Sequence, residues 1–334
     1  MEYRKLGKTN LKVSSIGFGC WAMGGGWGES DDKSAIAAAR KALDLGINFF
    51  DTANIYGFGH SEEVLAKALG RRRKDVVVAT KGGLHMDQYG CLYRSGARLH
   101  IEKAVEESLK RLKTDYIDLY QIHWPDMNTP FEETVRALED LRKAGKIRHI
   151  GVSNFNVPQM KEWMKCGRLH SLQPPYNMLM CDIEKAIIPF CKRNSIGIVS
   201  YGTLAYGLLT GKYTTKSRFP KSDWRSGKLF PDPGEWQRHI DLFKGEAYKR
   251  NLRIVRGLTK WAREHGMTPG NVAAAWVLSK PAISSALVGA KNPAQAAENA
   301  KAADIKLSAA ELKEINSILN EPLKPANKKQ GKRR

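Results

Sequence analysis

The sequence predicts an α/β fold, a (β/α)8 TIM barrel with an N-terminal β-hairpin, a long loop after strand 7 and a C-terminal helix. Three observations carry this reading. Short apolar runs alternate with stretches of helical period, the runs number eight, and nearly every run ends in a polar residue. With 334 residues, 42% of them hydrophobic, the chain suffices for one large domain or two ordinary ones. A doubly wound sheet is the structural alternative. Against it, the first strand is followed by no GxGxxG opening a helix, and "GGGWG" at 24–28 lacks that spacing.

The elements follow in order. "YRKL" and "KVSS" flank the turn-like "GKTN" and read as the hairpin. The eight strands are "SIGFG" (15–19), "NFFDTA" (48–53), "DVVVATK" (75–81), "YIDLYQIH" (116–123), "IRHIGVSN" (147–154), "SLQPPYN" (171–177), "IGIVSYG" (196–202) and "SSALVGA" (284–290). Helices are clearest over 30–45, 98–112, 130–144 and 184–194. In the second of these Ile101, Val105, Leu109 and Leu112 recur at three-to-four spacing and so share one face. Residues 203–248, which hold Gly207, Gly211, Pro220, Pro231, Pro233 and Gly234, are too long for an ordinary connection and read as a functional lid. A last helix at about 309–319 completes a barrel domain spanning 1–320. Residues 321–334 form a basic tail without apolar periodicity, expected to be disordered.

Net charge is +21, which favours acidic partners in general. The basic residues are nevertheless scattered; only "RRRK" (71–74) and the tail "KPANKKQGKRR" are clusters. A solvated basic surface is the expectation, with no nucleic acid bound. No apolar run reaches the roughly 18 residues of a membrane span, and "MEYRKLGKTNLKV" lacks the apolar core of a signal peptide. Five cysteines without CxxC spacing read as free thiols in a reducing cytoplasm, and no metal site is expected. Oligomeric state is left open.

In a barrel, chemistry sits where the strands end at the C-terminal face. Strand two ends in Asp51, strand three in Lys81, strand four in His123 and strand five in Ser153 and Asn154. Strand six offers Gln173, strand seven Tyr201 and Gly202, and strand eight leads into Gly289 and Lys291. A lone acid, lysine or histidine at a strand end is usually a cap, a solvated charge or a structural residue. Together, with Tyr56 in the loop after strand two, they form a set that polarises a carbonyl and protonates it. Asp51 would hold Lys81, Lys81 would lower the phenol pKa of Tyr56, and His123 would orient the carbonyl oxygen. No side chain delivers hydride, so a nicotinamide is required. Trp21, Trp124, Tyr89 and Tyr93 are candidate aromatic walls, which with Tyr56 and His123 would form the substrate pocket for an aldehyde, ketone or quinone.

The chain resembles the aldo-keto reductases over nearly all of residues 3–320. "GINFFDTANIYGFGHSEE" and "LKRLKTDYIDLYQIHWPD" resemble the family's two signatures, and "KAGKIRHIGVSNF", "YGTLAYGLLTGKY" and "LVGAKNPAQAAEN" resemble its cofactor segments. The form is similar to the branch of bacterial stress reductases and potassium-channel β subunits. The resemblance implies a catalytic tetrad of Asp51, Tyr56, Lys81 and His123, with Tyr56 as general acid. It implies NADPH extended across the barrel top. Ser153, Asn154 and Gln173 would hold the carboxamide, and Tyr201 would stack on the nicotinamide. The backbone around Leu204 and the side chain of Lys212 would take the pyrophosphate. Gly289, Lys291, Gln295, Glu298 and Asn299 would take the adenosine end, and the cofactor set also includes Trp21, Asp51, Gly202 and Arg225. Lys291 beside a helix start suits a 2′-phosphate. NADPH is the expected coenzyme, and because Gln295 stands where many members carry arginine, NADH is the alternative.

Two other functions compete with carbonyl reduction. The channel β subunits chiefly bind a membrane partner, but the resemblance implies asparagine where this chain has His123. A Schiff-base aldolase would use Lys81 as nucleophile, and the cofactor segments argue against it.

Overall fold

The computed structural model describes residues 1–27, 31–89, 91–229 and 234–320. An antiparallel pair, β1 (Tyr3–Lys5) and β2 (Lys12–Ser14), comes first. The barrel begins with β3 (Ile16–Gly19), β4 (Phe49–Asp51) and β5 (Val77–Gly82). A small antiparallel hairpin, β6 (Leu84–Met86) and β7 (Leu92–Arg94), interrupts it. The barrel then continues through β8 (Ile117–Ile122), β9 (Ile147–Ser153), β10 (Ser171–Gln173), β11 (Gly197–Ser200) and β12 (Ile283–Val288). All eight barrel pairings are parallel, and β12 closes the ring on β3. Each of the eight expected strands supplies one of these.

Helices surround the barrel. They are α1 (Asp32–Asp44), α2 (His60–Leu69), α3 (Arg98–Leu112), α4 (Phe131–Lys143), α5 (Val157–Cys166) and α6 (Ile187–Asn194). Then come a short α7 (Gln237–Asp241), α8 (Gly245–Glu264), α9 (Pro269–Leu278), α10 (Pro293–Lys301) and α11 (Ala309–Leu319). The expected start of α1 at residue 30 lies outside the described residues; Asp31 caps the helix by accepting from the backbone of Lys33 and Ser34. α11 starts with a reciprocal capping box between Ser308 and Glu311. The basic tail, 321–334, lies outside the described residues.

Three expectations shift. The strand expected over 171–177 stops at Gln173, because Pro174 and Pro175 have no N–H to donate; an isolated bridge resumes at Pro175 and Tyr201. The helix expected from residue 184 begins at Ile187, after a 3-10 turn over Asp182–Glu184. The segment 203–248 carries 3-10 turns at Ala205–Thr210, Trp224–Ser226 and Gly234–Trp236 before α7.

Side chains alternate along a strand, so the positions facing the barrel interior can be followed upward. Leu6, Leu11 and Val13 of the N-terminal hairpin pack with Phe49, Val77, Ala79, Leu119, Val199 and Leu287 as one apolar plug. Two residues further along the same faces come Asp51, Lys81, Gln121 and Tyr201. The interior is therefore apolar below and polar above, and the polar layer opens at the strand ends. A close approach fixes the floor: a Cβ on Gly7 (φ +55°) would lie 2.4 Å from the Gly197 nitrogen, so only glycine fits.

Three histidines outside the tetrad are held as neutral imidazoles, His239 buried and His149 and His170 half-buried. Burial, then the neighbouring His170, pushes His149 down to about 4, and burial pushes His239 down to about 3. His170 is lowered too, chiefly by burial. In the unfolded chain these groups take protons below about pH 6.5. The stability tied to their neutral forms is complete above that pH and lost as pH falls toward about 4. The urea midpoint is expected to fall between pH 6.5 and 5, where most carboxylates remain ionised; an unchanged midpoint would show that the imidazoles titrate freely in the fold.

Candidate active site

Asp51 ends β4, Lys81 lies near the end of β5, and His123 follows β8 directly. His123 keeps the register by donating its backbone N–H to Gly82 O at 2.9 Å. The Lys81 ammonium, fully buried, donates to Asp51 Oδ1 at 2.5 Å and to Thr52 O at 2.9 Å. The second carboxylate oxygen of Asp51 accepts from Gln173 Nε2 at 2.7 Å and Gln121 Nε2 at 3.2 Å. Gln121 was absent from the sequence-derived set. It is paired with Lys81 in register and lies two residues before His123 on the same strand face, a signal the sequence does contain. Tyr56 reaches the same spot from the loop after β4. Its ring meets that of His123 edge-on at 5.7 Å, stacks with Trp21 at 5.9 Å, and carries the Lys81 ammonium 5.2 Å from its centroid. The four tetrad candidates thus form one cluster.

The electrostatics differ from the sequence expectation in one respect. The Tyr56 phenol stands well above its ordinary pKa, through burial first and then the charges of Asp51 and Cys20. The lowering expected from Lys81 is outweighed by burial, and Asp51, which holds that ammonium at contact distance, adds to the rise. Tyr56 is a protonated phenol throughout the neutral range. His123 is held well below its ordinary value by burial, then by Lys81 and Arg94, and is a neutral imidazole. Its Nδ1 has no hydrogen-bond partner among the described residues.

Beside the tetrad, Asn154 sits at φ 64° and ties three elements together. Its amide donates to His123 O at 3.0 Å and Ser153 Oγ at 3.1 Å, while Tyr201 OH donates to its Oδ1 at 2.8 Å. Ser153 Oγ donates to Gln173 O at 2.8 Å. Further out, Lys291 Nζ donates to Trp27 O at 2.6 Å, and Gln295 Oε1 accepts from the Lys291 backbone at 2.8 Å. Asn299 donates to Gly289 O, and Glu298 accepts from Thr268 and pairs with Lys301. Arg225, buried, pairs with Asp223 at 2.5 Å and lies 4.9 Å from the Trp27 ring. Gly202 O accepts from Asn177, and the Leu204 carbonyl begins the next turn by accepting from Gly207 N–H. Lys212 is exposed, with its ammonium 4.9 Å from the Tyr213 ring.

The candidate pocket residues separate. Trp21 stands in an aromatic group with Trp27, Trp224 and Trp236, at centroid distances of 4.9 to 5.7 Å. Trp236 also stacks toward Tyr201 and lies 4.1 Å from His239, whose Nδ1 is 2.8 Å from Tyr206 OH. Trp27, Trp224, Trp236, Tyr206 and His239 were not singled out in the sequence, because irregular segments carry no periodicity. Trp124 is covered by the Arg94 guanidinium at 4.8 Å. Tyr93 stacks on His85 at 5.3 Å, and Tyr89 is 80% exposed at the tip of the β6–β7 hairpin.

The model of the aldo/keto reductase family matches residues 15–320. The chain belongs to the aldo/keto reductase family. It is 41% identical over 323 residues to the aldo-keto reductase YhdN of Bacillus subtilis, covering 96% of this chain and 94% of that one. A probable voltage-gated potassium channel subunit beta of Arabidopsis thaliana is 36% identical over 318 residues, covering 91% and 92%. The NADH-specific methylglyoxal reductase of Escherichia coli is 34% identical over 330 residues, covering 93% and 96%. Among solved structures, the glycerol dehydrogenase AKR11B4 of Gluconobacter oxydans superposes with a TM-score of 0.83 at 36% identity, covering 97% of this chain and 98% of that one. This aldo/keto reductase is therefore an oxidoreductase on a TIM-barrel scaffold, and no helix among its described residues is long and apolar enough to cross a membrane.

Family membership implies a nicotinamide coenzyme, and the residues present fit one. Lys291 is pushed down by burial, then by Arg225 and Lys212. Arg225 and Lys212 thus lie near enough to act on Lys291, with Arg225 itself paired to Asp223, and this basic corner suits the phosphates of a dinucleotide. Tyr201 is tied to the tetrad through Asn154, whose amide also donates to His123 O.

Proposed function

We propose that this aldo/keto reductase reduces aldehydes and ketones to alcohols with NADPH, with Tyr56 as the general acid. The observation that carries the reading is the Tyr56 ring set edge-on to His123 and beside the ammonium of the buried Lys81–Asp51 pair. The carbonyl oxygen of the substrate would accept from Tyr56 OH and meet the His123 ring. The bound nicotinamide supplies the hydride. As charge grows on the carbonyl oxygen, the Tyr56 proton moves to it, and the phenolate left behind faces the Lys81 ammonium 5.2 Å from the ring centroid. Asp51 keeps Lys81 charged and in place, and Gln121 and Gln173 keep Asp51 in place. Ser153, Asn154 and Gln173 would hold the carboxamide, Tyr201 would stack on the ring, and Lys212, Arg225 and Lys291 would take the phosphates. The same geometry speaks against a Schiff base on Lys81. Its ammonium is fully buried and doubly bonded to oxygens, whereas a nucleophilic lysine must be neutral.

The reading is tested by following NADPH oxidation with a panel of aldehydes, ketones and quinones. No consumption with any of them would overturn it. The coenzyme preference has its own test, because a relative of this chain is NADH-specific. Lys291→Ala is expected to weaken NADPH binding by about 10- to 100-fold, the worth of a charge-assisted bond, with a much smaller effect on NADH. Equal losses for the two in a calorimetric titration would remove Lys291 from the 2′-phosphate.

A further inference from the structure

Arg94 is a charge at the mouth that the tetrad does not use. It ends β7, and the hairpin bearing it is tied to the Tyr56 loop by Asn54 Nδ2, which donates to Leu84 O at 3.2 Å, while Leu84 pairs with Arg94 in register. The guanidinium lies 4.8 Å from the ring of Trp124, the residue after His123, and donates to Pro125 O at 3.4 Å. It is near enough to His123 to help hold that imidazole neutral. Its ion-pair partner is Glu235, at 3.5 Å and with 60% of its side chain exposed. Glu235 belongs to the turn Gly234–Trp236, so it comes from the opposite side of the mouth, next to Trp236, which packs on Trp21. Lys81 is committed to Asp51, so the cation beside His123 that is open to exchange is Arg94.

We propose that Arg94 is a specificity-determining residue that selects carbonyl substrates carrying a carboxylate, which takes the place of Glu235 on the guanidinium. The proposal rests on the reductase reading and names its substrate class. A carboxylate already sits on Arg94, held by one long and solvated contact of the kind that contributes little. A substrate carboxylate held against the Trp124 face would be drier and free to pair bidentately, the arrangement guanidinium favours. The aromatic rings of Trp21, Trp124 and Trp236 would pack the body of such a substrate, which leaves the carbonyl toward Tyr56 and the acid toward Arg94.

The test compares 3- and 4-formylbenzoate with their methyl esters. The ratio of kcat/KM for acid over ester, taken within each variant, cancels any general loss of activity. Wild type is expected to favour the acid by about 10-fold or more. Arg94→Gln should bring the ratio to one or below, Arg94→Lys should restore part of it, and Glu235→Gln should raise it. A wild type that prefers the esters, or an Arg94→Gln variant that keeps the ratio, overturns the proposal. So does an equal loss for acid and ester, which would make Arg94 a latch to Glu235. A second readout needs no turnover, because three tryptophans surround the site. Benzoate should quench the fluorescence of wild type at lower concentration than benzamide does, and Arg94→Gln should abolish the difference. If no aldehyde is reduced, the reductase reading fails, and this titration still decides whether Arg94 binds carboxylate: a benzoate affinity unchanged by Arg94→Gln overturns the proposal.

Discussion

Tyr56→Phe is expected to lower turnover by about 10²- to 10⁴-fold and to leave coenzyme binding nearly unchanged. The substitution removes one hydroxyl and nothing else. The phenyl ring can keep its stack with Trp21, its edge contact with His123 and its place beside the Lys81 ammonium. The loss is thus assigned to the proton, not to packing. Because the phenol stands well above its ordinary pKa, wild type carries the donatable proton at every neutral pH, and the variant never does. Single-turnover reduction of one aldehyde, with NADPH affinity measured separately, makes the check. Near-normal turnover would remove Tyr56 from the mechanism. Loss of NADPH affinity equal to the loss of turnover would make the hydroxyl a coenzyme contact.

Much of the barrel could be read from the sequence because its strands are short apolar runs with polar ends. β4 shows why. Phe49 and Phe50 are both buried, one in the barrel and one under the helices, and Asp51 then breaks the run at the level where the interior becomes polar. The β6–β7 hairpin was not legible. Residues 84–94 have no alternating pattern, and the turn is closed by Asp87 Oδ1, which accepts from the backbone of Tyr89 and Cys91. The segment after β11 was legible only as a length. Its turns are fixed by tertiary contacts: Tyr206 sits at φ 58°, and its ring packs on Trp224 at 4.8 Å. No local preference in the sequence specifies that conformation.

The site divides in the same way. Asp51, Lys81 and His123 announce themselves as charges and an imidazole on consecutive barrel strands. The direction of the Tyr56 shift does not, because it depends on how deeply the phenol is buried and on how near the Asp51 carboxylate lies, which the fold alone decides. The aromatic group around Trp236 was illegible for a different reason. Trp21, Trp27, Trp224 and Trp236 are far apart in the chain, and irregular segments bring them together.

The buried pair itself yields the largest expected effect on stability. Lys81→Met is expected to destabilise the fold by about 3–5 kcal/mol and to abolish measurable turnover. The cost does not come from losing an attraction, since methionine fills much of the same volume. It comes from leaving the Asp51 carboxylate, 3% exposed, with only the two glutamine amides for company. The double variant Asp51→Asn/Lys81→Met removes that charge, and its amide oxygen can still accept from Gln121 or Gln173. It should therefore recover most of the lost stability, which urea titrations of wild type, both single variants and the double variant would show as strong coupling between the sites. Turnover should not recover, because no ammonium then faces the phenolate of Tyr56. A double variant as unstable as Lys81→Met would place the cost in packing around residue 81. Recovery of turnover along with stability would mean that Lys81 serves the fold and not the reaction.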